Sequence, residues 1–191
     1  MSLIAFFDHD FRLLPEDQAP CLLSALGVER GALAAPQRPV SSAPQLTHAR
    51  ELQALQSRFH TVLTDRLRIV SASPAGRQRH TPVRHPVGAE PAGLHTHCDR
   101  EIRVVVAGQA CFTLQAPFGW ATVVCDARDW IALPAGLPHR CQAHPEHGAD
   151  LLRMFSLPYG WAPDPMGLEP PGGLAPWPLP AQQAAARSTS A

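Results

Sequence analysis

Gly93-Leu-His95-Thr-His97-Cys-Asp-Arg-Glu101-Ile-Arg103-Val-Val-Val-Ala-Gly108 carries a denser set of donor side chains than the sequence around it. Its composition, β-branched toward the end and closed by glycine, reads as a strand. Alternate side chains of a strand point to one face. Positions 95, 97, 101 and 103 are all odd, so an extended chain aims two imidazoles, a carboxylate and a guanidinium into the same space. Ile102, Val104 and Val106 then face the other way. A fourth donor, His139, stands in Pro134-Ala-Gly136-Leu-Pro138-His139 and has to arrive on a later strand. Neutral imidazole and ionised carboxylate are available together near neutral pH. Three imidazoles and a carboxylate suit iron, nickel, manganese or zinc. The stretch therefore predicts a mononuclear metal centre held by His95, His97, Glu101 and His139 inside a small β-barrel.

The rest of the chain sets bounds on that reading. At 191 residues it is long enough for one domain with a real core. Lys+Arg and Asp+Glu balance at 16 each, and every basic residue is Arg. That balance gives no pull toward nucleic acid or a membrane surface. The five cysteines, Cys21, Cys98, Cys111, Cys125 and Cys141, are odd in number and form no CxxC pair. A reducing compartment is expected, and with it a cytoplasmic location. The apolar start Met1-Ser-Leu-Ile-Ala-Phe-Phe7 lacks a basic flank and meets Asp8 at once, so it is not read as a secretory signal. No apolar run approaches the roughly 20 residues of a membrane span.

Read in order, Leu3–Phe7 predicts a first strand. Pro15-Glu16-Asp17 opens a short helix carrying Cys21, Leu22, Leu23 and Leu26 and stopping at Gly27. Residues 31–44 read as a loop. Leu52, Leu55, Phe59, Val62 and Leu63 recur at helical spacing, predicting an amphipathic helix over about 44–66 with its apolar stripe on a sheet. The Pro-, Gly- and Arg-rich segment 73–91 must turn repeatedly. Short runs at 101–107, 109–115, 120–125, 130–133 and 150–156 then predict the strands of a barrel or sandwich. The organisation expected is one domain over 1–160 with its barrel core at about 93–156. A mobile Pro-rich tail follows over 161–191, since prolines at 163, 165, 170, 171, 176, 178 and 180 oppose regular structure.

The pattern His-x-His-x-x-x-Glu followed, after six intervening residues, by Gly resembles the first motif of the cupins, and Pro134-x-Gly136-x-x-His139 resembles the core of the second. The closer resemblance is to the acireductone dioxygenases. Their His-Thr-His-x-x-x-Glu-x-Arg block stands here as His95-Thr-His97-Cys-Asp-Arg-Glu101-Ile-Arg103. Their Asp-x-Ile/Leu-x-x-Pro-Ala-x-x-x-His block stands as Asp129-Trp-Ile131-Ala-Leu-Pro134-Ala-Gly-Leu-Pro-His139. Leu152-Arg153-Met-Phe155 and Gly160-Trp161 are similar to a family strand and the Gly-Trp after it. The likeness is good over about 93–161 and thin upstream, where it rests on the 45–66 helix and Leu26-Gly27-Val28-Glu29-Arg30.

The resemblance implies a mainly β, cupin-type barrel with a few packing helices. It implies one Fe(II) per monomer, alternatively Ni(II), on His95, His97, Glu101 and His139. The implied reaction joins dioxygen to 1,2-dihydroxy-3-keto-5-methylthiopentene in methionine salvage, giving 4-methylthio-2-oxobutanoate and formate with iron. With nickel the family's products are methylthiopropionate, formate and carbon monoxide. Arg103 and Arg153 are implied as positive charges near the anionic substrate; for Arg103 the competing reading is an ion pair with Glu101, Asp126 or Asp129. The partners expected are the acireductone and dioxygen, with no nucleic acid or membrane, and the chain is expected to act as a monomer.

Some positions depart from the family. Arg128 stands where glycine is usual, Arg140-Cys141 replaces Trp-Phe after the last histidine, and Val104-Val105 replaces two phenylalanines. An added cation and fewer aromatics are expected to alter the pocket, so two alternatives stay open. One is a non-catalytic cupin binding metal or a small acid, and the other is a different cupin dioxygenase or isomerase with the same ligands. Elsewhere, His144 and His147 read as a solvent-exposed loop, and His80 and His85 have no evident partner. Cys98 reads as a buried, inert thiol, and Glu29-Arg30 as a turn ion pair.

Overall fold

A strand with both faces covered must carry apolar or paired residues on every position, and the longest strand of this chain does. In a computed structural model that describes residues 4–34, 48–69, 93–168, 170 and 174, Glu101–Ala116 runs unbroken as β5. The two strands predicted over 101–115 are one. Its register slips between Val105 and Ala107, and Gly108 sits at φ +75°, a conformation that costs glycine nothing. A Cβ at Gly108 would lie 2.2 Å from the Gly148 carbonyl oxygen, so the bend needs glycine for space as well. The irregularity lets one strand serve two layers.

The first half of β5 pairs with β7 (Asp129–Leu133) and β9 (Ala149–Phe155). β2 (Glu29–Ala32) extends that layer beyond β7, and β3 (Leu63–Ile69) extends it beyond β9. The second half of β5 pairs with β6 (Gly119–Asp126) and β8 (His139–Ala143). β1 (Ile4–Phe7) adds to β6, while β4 (His95–His97) adds to β8 and carries β10 (Pro163–Pro165) at its edge. All these pairings are antiparallel. Between the layers lie Phe6, Leu67, Val105, Phe112, Leu114, Val123, Ile131 and Leu151.

The outer face of the first layer carries Ile102, Val104, Trp130 and Met154, and the helix α2 (Ala49–Arg58) covers it with Leu52, Leu55 and Phe59. Each such side chain removed from water contributes about 1.5–3 kcal/mol before entropy is charged. The stripe predicted from helical spacing is thus real, but the helix is shorter than 44–66. Its last turn closes at Phe59, His60 adopts φ +52°, and Leu63 to Ile69 is strand. Leu63, Asp65 and Leu67 alternate with Thr64 and Arg66, and the whole of β3 finds partners on β9, which outweighs a coincidental helical spacing. Val62, counted in the stripe, is 68% exposed.

Other expectations divide along similar lines. The 15–27 region is a 3-10 turn followed by α1 (Ala19–Ala25), with Gly27 at φ +70°. Glu29-Arg30 is strand rather than turn, and Glu29 pairs with Arg58 and Arg100 instead of with its neighbour. Proline density did not prevent β10, because an edge strand of three residues needs few N–H donors. The segment 73–91 and most of the predicted tail lie outside the described residues, as does 35–47. Among the described residues no helix is long and apolar enough to cross a membrane.

Arg128 holds φ +81° in the turn between β6 and β7, where its N–H donates to Val105 O at 2.7 Å. A side chain there is strained, which accounts physically for glycine being usual at this position in the resembled family. Arg128→Gly is expected to stabilise the fold by about 0.5–1 kcal/mol, read from the urea midpoint at unchanged m-value.

Candidate metal centre

His95 and His97 come from β4, Glu101 and Arg103 from the start of β5, and His139 from the start of β8. The turn between β7 and β8 is docked on β4, because Gly136 N–H donates to His97 O at 2.9 Å. That contact sets His139 directly opposite His95 in the ladder. One ring nitrogen from each of His95, His97 and His139 lies within 4.8 Å of the other two. His139 Nε2 is 3.0 Å from Glu101 Oε2, and His97 Nε2 is 3.7 Å from Glu101 Oε1. The four donors are brought together, but not along one regular strand: the chain breaks at 98–100, so His95 and His97 stand on β4 while Glu101 and Arg103 stand on β5 in the other layer.

Orientation of the rings is fixed from behind. Nδ1 of His95 lies 3.1 Å from Gly93 O, that of His97 3.2 Å from Ala162 O, and that of His139 2.9 Å from Leu137 O. A carbonyl oxygen only accepts, so each Nδ1 carries a proton; Nε2 of His95 and of His97 then turn lone pairs inward, while Nε2 of His139 lies at hydrogen-bond distance from Glu101 Oε2. Exposure of the four donor residues is between 0% and 3%, and Nε2 of His95 and of His97 has no hydrogen-bond partner. Burial pushes the His95 pKa down to about 4, assisted by the nearby His139, and burial lowers that of His97 also. Burial opposes ionisation of Glu101, but Arg103 and the imidazoles outweigh it and hold its carboxyl well below the usual range. Lone pairs and a carboxylate thus face one another in a dry space.

Such an arrangement is unfavourable without a cation between the acceptors. Ligands about 2.1 Å from an ion and at right angles are about 3.0 Å apart, the separation found between His139 and Glu101. The residues fit a divalent metal.

Arg103 is fully buried, with its Nε 2.8 Å from Glu101 Oε1. Of the two readings offered for it, the Glu101 ion pair is realised, and realised on the ligand face. Arg153 stands opposite Arg103 in the ladder. Its guanidinium grips Asp65 on the adjoining strand, Nε–Oδ1 3.0 Å and Nη2–Oδ2 2.5 Å. Asp65 was not anticipated, because its partner is 88 residues away and its parity could be read only once β3 was known to be a strand.

Two expected pocket changes are corrected. Arg140 alternates with His139, pairs opposite Thr113 and faces away from the imidazoles, so it adds no cation there. Val104 packs under α2, while Val105 lies inside. Cys98 does face away from the site but is exposed rather than buried, since β4 ends at His97 and the turn lifts it into solvent. His144 and His147 stack on each other at 4.4 Å in the β8–β9 turn. A cavity of about 290 Å³ is lined by Leu33, Leu52, Asp65, Val104, Val105 and Leu152, and by none of the three imidazoles.

Comparison with known proteins agrees with this geometry. Residues 92–163 match the ARD/ARD' family. Acireductone dioxygenase of Gluconobacter oxydans (strain 621H) is 39% identical over 67 residues, 35% of this chain and 36% of the relative. That of Enterobacter sp. (strain 638) is 32% identical over 80 residues, 42% of this chain and 44% of the relative. The chain thus spans less than half the length of these curated relatives. A solved structure, acireductone dioxygenase from Bacillus anthracis with cadmium ion in its active center, superposes with a TM-score of 0.60 at 16% identity. That match covers 84% of this chain and 96% of the other, and it shows a shared fold.

Asp65 gives the buried Arg153 guanidinium two charge-assisted hydrogen bonds. Asp65→Ala is expected to cost about 3 kcal/mol or more in chemical denaturation, well beyond the cost of Asp10→Ala at the exposed Arg12 pair.

Proposed function

We propose that this chain, whose residues 92–163 match the ARD/ARD' family, is a metal-dependent dioxygenase acting on an acireductone. The substrate read for it is 1,2-dihydroxy-3-keto-5-methylthiopentene. Fe(II), alternatively Ni(II), would be held by His95, His97, Glu101 and His139, and methionine salvage would be its setting in the cytoplasm. The observation that carries the reading is the set of three buried imidazoles gathered beside the Glu101 carboxylate, with Nε2 of His95 and of His97 left without a hydrogen-bond partner. A bound divalent metal supplies positive charge and a meeting point for an enediol and dioxygen.

The chain's own residues account for the remainder. Gly93 O, Ala162 O and Leu137 O hold the imidazoles in one tautomer and one orientation. Arg103 keeps Glu101 ionised and offers a fixed, buried positive charge beside the place an anionic substrate would occupy. Arg153 adds a second cation on the same face, and Asp65 makes its burial tolerable. Glu101 pairs with Arg103 and Asp65 with Arg153, so these four charges cancel among themselves. Phe155, whose ring centroid lies 5.4 Å from that of His97, helps keep water out.

Iron-loaded protein given this acireductone is expected to consume oxygen and release formate. His97→Ala and Glu101→Ala are expected to lose the metal on elemental analysis, and oxygen uptake with it by about 100-fold or more. Full metal content in both variants would place the centre elsewhere. Stoichiometric metal without oxygen uptake on this or any other acidic enediol would leave a binding protein.

A further inference from the structure

One more side chain on the odd face of the opening stretch is buried without belonging to the donor set. Asp99 is 6% exposed and sits in the turn between β4 and β5, two residues after His97 and two before Glu101. Its Oδ1 accepts from Arg100 N–H at 2.7 Å and from Ser156 Oγ–H at 2.5 Å, and its Oδ2 accepts from Leu157 N–H at 2.7 Å. Two of these donors lie more than fifty residues away, where β9 ends and the chain turns back. Gly160 closes over the same carboxylate: a Cβ there would lie 2.5 Å from Asp99 Oδ2, so the approach is possible only for glycine.

The turn held in this way leads straight to a ligand. It is braced internally by Gly160 N–H to Leu157 O and Ala162 N–H to Tyr159 O, both 3.1 Å. Ala162 O accepts the Nδ1 proton of His97, and the next three residues, Pro163–Pro165, pair with His97–His95 as β10. β10 is an edge strand of three residues with two prolines, so the ladder itself fixes it weakly. The carboxylate clamp at the other end of the turn is the stronger constraint, since bonds to an ionised acceptor exceed neutral ones.

We propose that Asp99 is a positioning residue of the metal centre: by clamping Ser156 and Leu157 it holds Ala162 O on His97 Nδ1 and so aims His97 Nε2 at the ion. This rests on the metal reading given above. His95 and His139 lean on carbonyls of their own flanking residues, Gly93 and Leu137, two positions away. His97 alone among the three leans on a remote segment, and Asp99 anchors it.

Titration of the full chain with Co(II), with proton NMR of the shifted imidazole N–H signals, tests this. The parent is expected to bind one Co(II) and show three slowly exchanging imidazole N–H protons. In Asp99→Ala the affinity is expected to fall by about 10- to 100-fold, and one N–H signal, that of His97, to exchange faster while the other two hold. Ser156→Ala, which keeps the carboxylate and its bond to Leu157, is expected to show the same selective effect more weakly, and Asp99→Asn an intermediate one. Equal Co(II) affinity and three unaltered signals in Asp99→Ala and Ser156→Ala would overturn the proposal, as would equal loosening of all three signals. A parent that binds no Co(II) would overturn the metal reading and this inference with it.

Discussion

Three imidazoles and a carboxylate are gathered in a dry interior, with Nε2 of His95 and of His97 left without a hydrogen-bond partner, and the fold of this chain is arranged to bring them together. Nε2 of three histidines and the carboxylate of Glu101 converge with only a few per cent exposure, while every Nδ1 proton is spent on a carbonyl behind the ring. Neutralising the carboxylate by protonation is opposed by Arg103, and protonating the imidazoles is opposed by burial. A divalent cation resolves the conflict at once. The architecture supplies the means to impose it: β4 edges against β8, β8 lies beside the far half of β5, and the bend at Gly108 brings the near half back under the same cavity.

Around that centre the charges fall into a row. Glu101 meets Arg103 within one strand, Arg103 stands opposite Arg153, and Arg153 grips Asp65 on the next strand. Buried cations of this kind persist only when paired. The helix on the outer face has a simpler task. It shields Ile102, Val104 and Met154 so that the strand bearing Glu101 and Arg103 stays covered and rigid.

Much of this was legible in the sequence, because the decisive signals were local. His95, His97, Glu101 and Arg103 share one parity over nine residues, which brought them to notice, but the turn at 98–100 splits them between β4 and β5, so their convergence also depends on how those strands pair. The stripe Leu52, Leu55, Phe59 likewise announced a helix and its covered face. What escaped was set by contacts across the chain. Leu63–Ile69 became a strand because β9 was there to receive it, and Asp65 gained its meaning only then. Arg140 looked like a pocket cation until pairing with Thr113 showed which face it takes. Asp99 shared the ligand parity in plain view, but its partners Ser156 and Leu157 are more than fifty residues distant. Cys98 followed parity in direction, while its exposure depended on where β4 stops.

The central claim is that these four side chains enclose one ion. Diffraction from crystals grown with Mn(II), with anomalous differences recorded at the manganese edge, tests it most directly. The account predicts a single strong peak bonded to Nε2 of His95, His97 and His139 and to a carboxylate oxygen of Glu101. A peak at the stacked His144 and His147 instead, or Glu101 turned wholly onto Arg103 with no ion between the imidazoles, would contradict it.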